Sequence, residues 1–343
     1  MLNIDCSEHQ NQKGAKGLAF ALATITKKPC RLFNIRQKNT ASSHLLKAIS
    51  QFCNGYIENN SSEELVFYPG NEYKSFLSLN TSPNEDIVFL LQNLLLSSIS
   101  TRLPIEITVK GGFSDSPLSS GIDYFQKVFL KLLKNFGVKT ELNIIKRGYR
   151  PEGGAHIKIT IQPSNINPIL LTERGSLKKI LVISGASESL KTKKVAESQL
   201  SGVKEVLGKL NLPIEETIKY YQTLCPGNQI CLISEFEKTI IGINNIGKWG
   251  ERAKDLGKEA ALKLLAKERA NSCIDQQTSV LLLPYLALSC KKSQIKVPEI
   301  TSEHKEALLL IEKFTNNKHP NSPLQFFNGS FKVKENLISW TPK

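Results

Sequence analysis

A recurring unit governs what this 343-residue chain can fold into. Four times in the first 160 residues an apolar helical stretch runs into a short strand with a basic or glycine end. Gly17–Thr26 leads to Cys30–Arg36, Ser43–Cys53 to Leu65–Gly70, Asp86–Ser98 to Ile105–Gly112, and Asp123–Phe136 to Thr140–Gly148. In the third strand Ile105, Ile107 and Val109 alternate with Glu106, Thr108 and Lys110, the period of a half-buried strand. In the fourth helix Tyr124, Phe125, Val128, Phe129, Leu132, Leu133 and Phe136 form one apolar face. Lys127, Lys131 and Lys134 take the other side, and Gly137 supplies the stop. A helix-plus-strand period of about 35–40 residues predicts an internally repeated α/β (α+β) architecture.

The texture changes after Ile180. Ser187–Leu210 reads as a Lys-rich amphipathic helix, and Ile230–Ser234 and Thr239–Ile243 as two strands joined by a Glu-Phe-Glu-Lys turn. Arg252–Asn271 reads as a further helix. The expected organisation is a large domain, 1–179 and 266–343, interrupted by a small βαβ-type insert at 180–265. After the insert come apolar stretches at Val280–Leu288 and Ala307–Phe314. Two short strands at 324–332 and 337–340 close the chain, and Thr315–Ser322 is a polar loop.

Lys and Arg number 45 against 31 Asp and Glu, a net charge of +14 that favours polyanionic partners: RNA, DNA, nucleotides or an anionic membrane face. The longest apolar runs, Ile87–Leu96 and Val280–Leu288, fall short of the roughly 20 residues that span a bilayer. The first residues, MLNIDCSEHQNQK, lack a basic segment followed by an apolar one, so no secretory signal is expected. Seven cysteines with no CxxC pair speak against a disulfide framework and a zinc ribbon, and for buried thiols in a reducing cytoplasm.

The segment richest in ligand-binding chemistry is Lys146-Arg147-Gly148-Tyr149-Arg150-Pro151-Glu152-Gly153-Gly154-Ala155-His156, set between two strands. Arg147 and Arg150 could grip phosphates, Tyr149 could stack on a base, and Gly153 and Gly154 could open backbone N–H groups to an anion. A basic hairpin turn whose glycines serve only backbone geometry accounts for the same residues.

Arg147-Gly148-x-x-Pro151-x-Gly153-Gly154 resembles the RGxxPxGGG signature of the RNA 3′-terminal phosphate cyclase family. The resemblance covers most of the chain. Met1–Asp5 and Ala21–Pro29 are similar to the family's N-terminus, followed by Asn34-Ile35-Arg36. Gly111-Gly112, Asp115, Pro117 and Asp123-Tyr124 are similar to its GGTDxPxxPPxDY stretch, and Glu173-Arg174-Gly175 to its ERG. Pro226-Gly227-Asn228 resembles a turn of its insert, and Asp275 with Leu282–Leu288 its late helix.

The resemblance implies a large domain of repeated four-stranded-sheet-plus-two-helix units with a small α/β insert. It also implies ATP-dependent conversion of an RNA 3′-phosphate to a 2′,3′-cyclic phosphate. In that reaction a histidine attacks the α-phosphate of ATP and releases pyrophosphate. AMP then passes to the RNA phosphate, and the 2′-OH displaces it. ATP, a divalent cation (Mg or Mn) and RNA 3′ ends are the implied cofactors and partner. Arg36, His44, Gln92, Arg147, Tyr149, Arg150, Gly153, Gly154 and Arg174 are the candidate RNA or nucleotide contacts, and His304 is the candidate nucleophile.

The chain departs from the family at several nucleotide-contacting places. The glycine-rich N-terminal loop, roughly GxEGGGQxxR, is here Ser7-Glu8-His9-Gln10-Asn11-Gln12-Lys13-Gly14, with Gly17 in the arginine's place. The RxGRxxPGLxxQHL loop shortens to Arg36–Leu45 and keeps Arg36 and His44. The GSAGS-type turn becomes Thr81-Ser82-Pro83-Asn84-Glu85-Asp86, HLADQL becomes Gln277–Leu282, and the third glycine of GGG is Ala155. Counted back from Phe314 without a gap, the family histidine falls on Glu303, and a shift of one residue reaches His304. His9, His156 and His319 show no ligand spacing with carboxylates or cysteines. Two functions stay open: an active cyclase, or a catalytically inactive, cyclase-like RNA-binding or rRNA-processing factor. The expected location is the cytoplasm, or the nucleolus for a eukaryotic factor of the second kind.

Overall fold

Alternating strands and amphipathic helices assemble into three copies of one wiring plan. The computed structural model describes residues 1–36, 40–59, 61–116, 120–210, 212–315 and 327–343. Residues 37–39 of the shortened loop, Pro117, His319, the polar stretch 316–322 and the start of the 324–332 strand lie outside those residues.

The first unit is β1 (Leu2–Asp5), α1 (Gln12–Thr26), β2 (Cys30–Phe33), α2 (Thr40–Cys53), β3 (Tyr56–Asn59) and β4 (Leu65–Tyr68). Its sheet runs β1-β2-β4-β3, with β1 and β2 parallel across α1 and the other pairs antiparallel. The second unit repeats the plan with β5 (Phe76–Asn80), α3 (Ile87–Ser98) and β6 (Ile105–Lys110). Its second helix is α4 (Ile122–Tyr124), continued through a π-helical turn at Phe125–Phe129 into α5 (Leu130–Asn135). Strands β7 (Thr140–Lys146) and β8 (His156–Ile161) complete the order β5-β6-β8-β7.

The third unit opens with β9 (Leu170–Leu171), and the chain then leaves it. Strand β10 (Leu177–Ser187), α6 (Val195–Leu207), β11 (Ile214–Tyr221), β12 (Asn228–Phe236), β13 (Ile240–Ile246) and α7 (Ala253–Arg269) form a separate sheet of order β11-β10-β12-β13. The third unit resumes with α8 (Gln276–Ala287), β14 (Ser293–Lys296), α9 (Ser302–Thr315), β15 (Gly329–Lys334) and β16 (Leu337–Pro342). Its order, β9-β14-β16-β15, is the same first-second-fourth-third arrangement.

The fold is therefore mixed α+β, with four four-stranded sheets. A parallel first pair needs a crossover helix, and the two later strands of each unit close as an antiparallel hairpin. One apolar core runs through the three units and includes Phe20, Leu91, Phe129, Tyr285, Phe314 and Trp340. The inserted sheet has its own core of Val182, Val203, Leu232, Leu256 and Leu264. There α6 and α7 cross at two glycines: a Cβ on Gly202 would lie 1.9 Å from the Lys254 carbonyl oxygen, and one on Gly257 1.9 Å from that of Gln199. No other residue type permits that approach.

Side-chain caps fix where the helices that matter for the site begin. Asn11 Oδ1 accepts from Gly14 N at 3.0 Å and starts α1 five residues before the apolar stretch. Asp86 caps α3 and Asp275 caps α8 in the same way. Among the described residues no helix is long and apolar enough to cross a membrane.

Candidate functional site

The Arg147–His156 turn is built from buried parts. Arg147 is 2% exposed, donates to Asp115 Oδ2 at 3.0 Å and to Asp123, and lies 4.4 Å from the centre of the Tyr221 ring. Burial pushes the Asp115 carboxyl up, and Arg147 pulls it back. The Tyr149 hydroxyl is hydrogen-bonded to the Gln229 side-chain amide, and its ring sits under Gly227 with 2% exposure. Gly153 N donates to Tyr149 O at 2.7 Å, and Gly154 N to Gly111 O. Both glycines have positive φ, 62° and 82°. The expectations of a phosphate-gripping Arg147, a base-stacking Tyr149 and anion-binding glycine amides are therefore corrected. Two carboxylates neutralise the guanidinium, the ring is enclosed, and the N–H groups bond to backbone carbonyls.

The other candidates are dispersed. Arg150 is exposed, with its guanidinium 4.7 Å from the Phe113 ring centre. Arg174 donates to the Glu268 carbonyl at 2.8 Å and lies over Phe236. Arg36 is exposed, and its backbone N–H donates to Gln12 Oε1 at 3.2 Å. His44 Nδ1 stands 3.3 Å from Glu85 Oε2. Burial pushes the Glu85 carboxyl up to about 7, although Lys13 pulls it down. Gln92 Nε2 donates to Ser120 Oγ at 3.1 Å.

His304 is wholly buried on α9. The Thr301 backbone N–H and Gln276 Nε2 both point at its Nδ1, each at 3.3 Å. That places the ring proton on Nε2, 2.9 Å from Ser279 Oγ. Burial pushes the ring down to about 4, so it is neutral near pH 7. Its one lone pair is engaged and no solvent reaches it. The structure therefore places His304, the expected nucleophile, inside the protein with its lone pair engaged.

Two cavities remain. The first, about 450 Å³, opens between α1, α3, α8 and α9. Leu18, Phe89, Leu96, Phe129 and Val280 make it largely apolar, and of the candidate contacts only Gln92 lines it. Glu303, one residue from the buried histidine, faces it with Glu306. His9 lines it beside them, 6% exposed, with Nδ1 3.5 Å from Glu306 Oε2. Gln10 N donates to the same carboxylate at 3.2 Å. The local spacing of His9 gives no hint of this pairing, because Glu306 lies in the last helix; the one signal is a histidine inside a loop that the family builds from glycine.

A triphosphate does not fit this cavity. Among its described lining residues Lys267 is the one lysine or arginine, and its ammonium already donates to the Gly242 carbonyl at 3.1 Å. Two carboxylates face the space where phosphate charge would collect. The second cavity, about 700 Å³, lies between β7 and β11 and is lined by Lys127, Lys146, Lys219, Tyr220 and Tyr221, with Asp123 and Arg147 beneath.

A family model described as RNA 3′-terminal phosphate cyclase matches residues 17–319. The chain belongs to that family. It is 32% identical to an RNA 3′-terminal phosphate cyclase of Sulfurisphaera tokodaii over 92% of this chain and 94% of that one. It is 30% identical to one from Hyperthermus butylicus, covering 100% and 99%, and 28% identical to one from Ignicoccus hospitalis, covering 92% of each. Among solved structures, the enolpyruvyl transferase NikO of Streptomyces tendae matches 96% of this chain and 80% of that one, at 10% identity. Its TM-score of 0.29 is too low to carry a fold argument.

Proposed function

We propose that the chain is an RNA-binding member of the cyclase family that forms no histidine–AMP intermediate. One observation carries the reading. Glu303, on which the family's nucleophile position falls when counted back from Phe314 without a gap, faces the cavity, while His304 beside it is sealed in hydrogen bonds. A carboxylate attacking ATP would form an acyl phosphate in place of a phosphoramidate, and the apolar, acidic cavity offers little to the polyphosphate. RNA affinity is supported by the net charge of +14 and by family membership.

A second reading has an observation of its own. His9 lines the same cavity beside Glu306, so an imidazole stands near Glu303. Incubation with α-labelled ATP and magnesium or manganese, followed by a denaturing gel, separates the two. The first reading expects no covalent label on the wild-type protein. Label that survives denaturation and vanishes in His9→Ala overturns it in favour of the second.

A further inference from the structure

The larger cavity lies between two sheet edges. Strand β7 ends the order β5-β6-β8-β7, and β11 ends the order β11-β10-β12-β13, so each presents one side without a strand partner. Edge strands leave alternate N–H and C=O groups free for an outside ligand. Three lysines stand around the gap on three elements: Lys127 on the π-helical turn, Lys146 on β7 and Lys219 on β11. None of the three forms an ion pair among the described residues, and the cleft's one lining carboxylate, Asp123, is already held by Arg147.

Aromatic and apolar surface lies among these charges. Tyr221 shares the cleft face of β11 with Thr217 and Lys219, while Tyr220 turns to α6, where its hydroxyl donates to Glu197 Oε2 at 2.5 Å. Tyr221 is packed against the Arg147 guanidinium. Ile145 on β7 is 58% exposed. The buried Arg147–Asp115–Asp123 cluster forms a rigid floor. Spaced cations with a stacking platform and free backbone groups suit a single-stranded nucleic acid, because each base has a face to stack and each nucleotide a phosphate to hold. A peptide added to either edge would gain from the free backbone but would leave three lysines without counter-charge.

We propose that this cleft, and not the cavity holding Glu303, is the single-stranded RNA track: Lys127, Lys146 and Lys219 hold phosphates, and Tyr221 stacks on a base. This inference rests on the RNA-binding reading above. The test is fluorescence anisotropy with a labelled oligouridylate of about 12 nucleotides across a salt series. Replacing Lys127, Lys146 and Lys219 together by alanine should weaken binding tenfold or more at low salt. It should also lower the slope of log K against log salt by about 2, at roughly 0.7 per phosphate contact on a single strand. A matched triple from the third unit, Lys291→Ala with Lys292→Ala and Lys334→Ala, changes net charge equally and should leave the slope in place. Tyr221→Ala should weaken binding without changing the slope, and Tyr221→Phe, which keeps the ring, should retain it. Equal losses in the two lysine triples would mean that overall charge holds the RNA, and would overturn the track while leaving RNA binding intact. A wild-type protein with no affinity for the oligouridylate overturns the RNA-binding reading itself, and the track with it.

Discussion

The two cavities sit on the same framework and have opposite chemistry. The one between α1, α3, α8 and α9 has apolar walls and carboxylates at its polar edge, from Glu303 and Glu306. The one between β7 and β11 is ringed by lysine and tyrosine over a neutralised, buried floor. The first holds Glu303 and Glu306 but, among its described lining residues, a single lysine, Lys267, which already donates to a backbone carbonyl. The second takes its floor, Arg147 with Asp115 and Asp123, from the glycine-rich motifs, whose glycine N–H groups are occupied inside the protein. The difference teaches that one framework can carry two clefts of opposite charge, because the buried groups that hold the framework are different residues from those that line either cleft.

The largest expected effect tests the floor of the basic cleft. Arg147→Met would leave Asp115 and Asp123 buried without a counter-charge, at a cost of about 3–5 kcal/mol. Thermal melting should show a severe loss, or no folded protein at all. A mild loss of stability accompanied by loss of RNA binding would instead make Arg147 a ligand residue.

Next is His304, beside the acidic cavity. His304→Ala removes a fully buried ring and strands the Thr301 and Ser279 groups that face it, for about 2–3 kcal/mol. Any ATP-dependent labelling should be unaffected once the variant is assayed below its melting temperature. Lost labelling in folded His304→Ala protein would reopen the nucleophile assignment.

Two buried groups should pull the pH dependence of stability in opposite directions. His304 is held down near 4, so as pH falls from about 6.5 to 4 the unfolded chain takes up a proton that the folded chain refuses, and stability drops. Glu85 is held up near 7, so between about 4.5 and 7 the folded chain keeps a proton that the unfolded chain has lost. Its contribution therefore falls as pH rises through that window. The wild type should show a flattened profile over pH 4.5 to 6.5, where the two offset each other. Glu85→Gln should unmask the rise with pH and gain on the order of 1–2 kcal/mol at pH 8, discounted for the nearby Lys13 and His44. Denaturant titrations of both variants at several pH values would decide this. Parallel profiles for Glu85→Gln and wild type would mean that Glu85 is ionised in the fold.

The smallest effect concerns the acidic cavity. Glu303→Gln with Glu306→Gln should raise ATP affinity by roughly thirtyfold or less, since each removed charge is worth about 1 kcal/mol across solvent. Isothermal titration measures this directly, and unchanged affinity would show that the carboxylates are not what excludes the nucleotide.

The repeated architecture is legible in the sequence because the period of its apolar residues is set by the same faces that pack in the fold. Ile105, Ile107 and Val109 alternate, and all three are buried. Strand β11 escapes that reading because, at the edge of its sheet, Glu215 through Lys219 all face solvent and leave no apolar alternation. The helix expected over Ser187–Leu210 starts only at Val195: Ser187 ends β10, and Lys194 takes a left-handed φ of 48° that breaks the run. The site is less legible for one physical reason. Arg147 reads as a free cation until Asp115 and Asp123 fold against it, and His9 reads as a stray histidine until Glu306 arrives from the last helix. Burial and charge partners are long-range facts, and a motif records only its own neighbourhood.

The interruption of the third unit also bears on the order in which the molecule assembles. The first strand of that unit, β9, pairs with β14, and the bond from Ile169 N to Ser293 Oγ spans 124 residues. Closing so long a loop is slow for a two-residue strand with little local reward. When the intervening sheet has formed its own core, the carbonyl of Glu268, late in its final helix, accepts from Arg174 just before its first strand. The open chain between β9 and β14 then shortens from 124 residues to about 30, which lowers the closure cost by about 1 kcal/mol. The inserted sheet thus acts as a clamp in time: the third unit, with both carboxylates of the acidic cavity on its last helix, closes after the insert does.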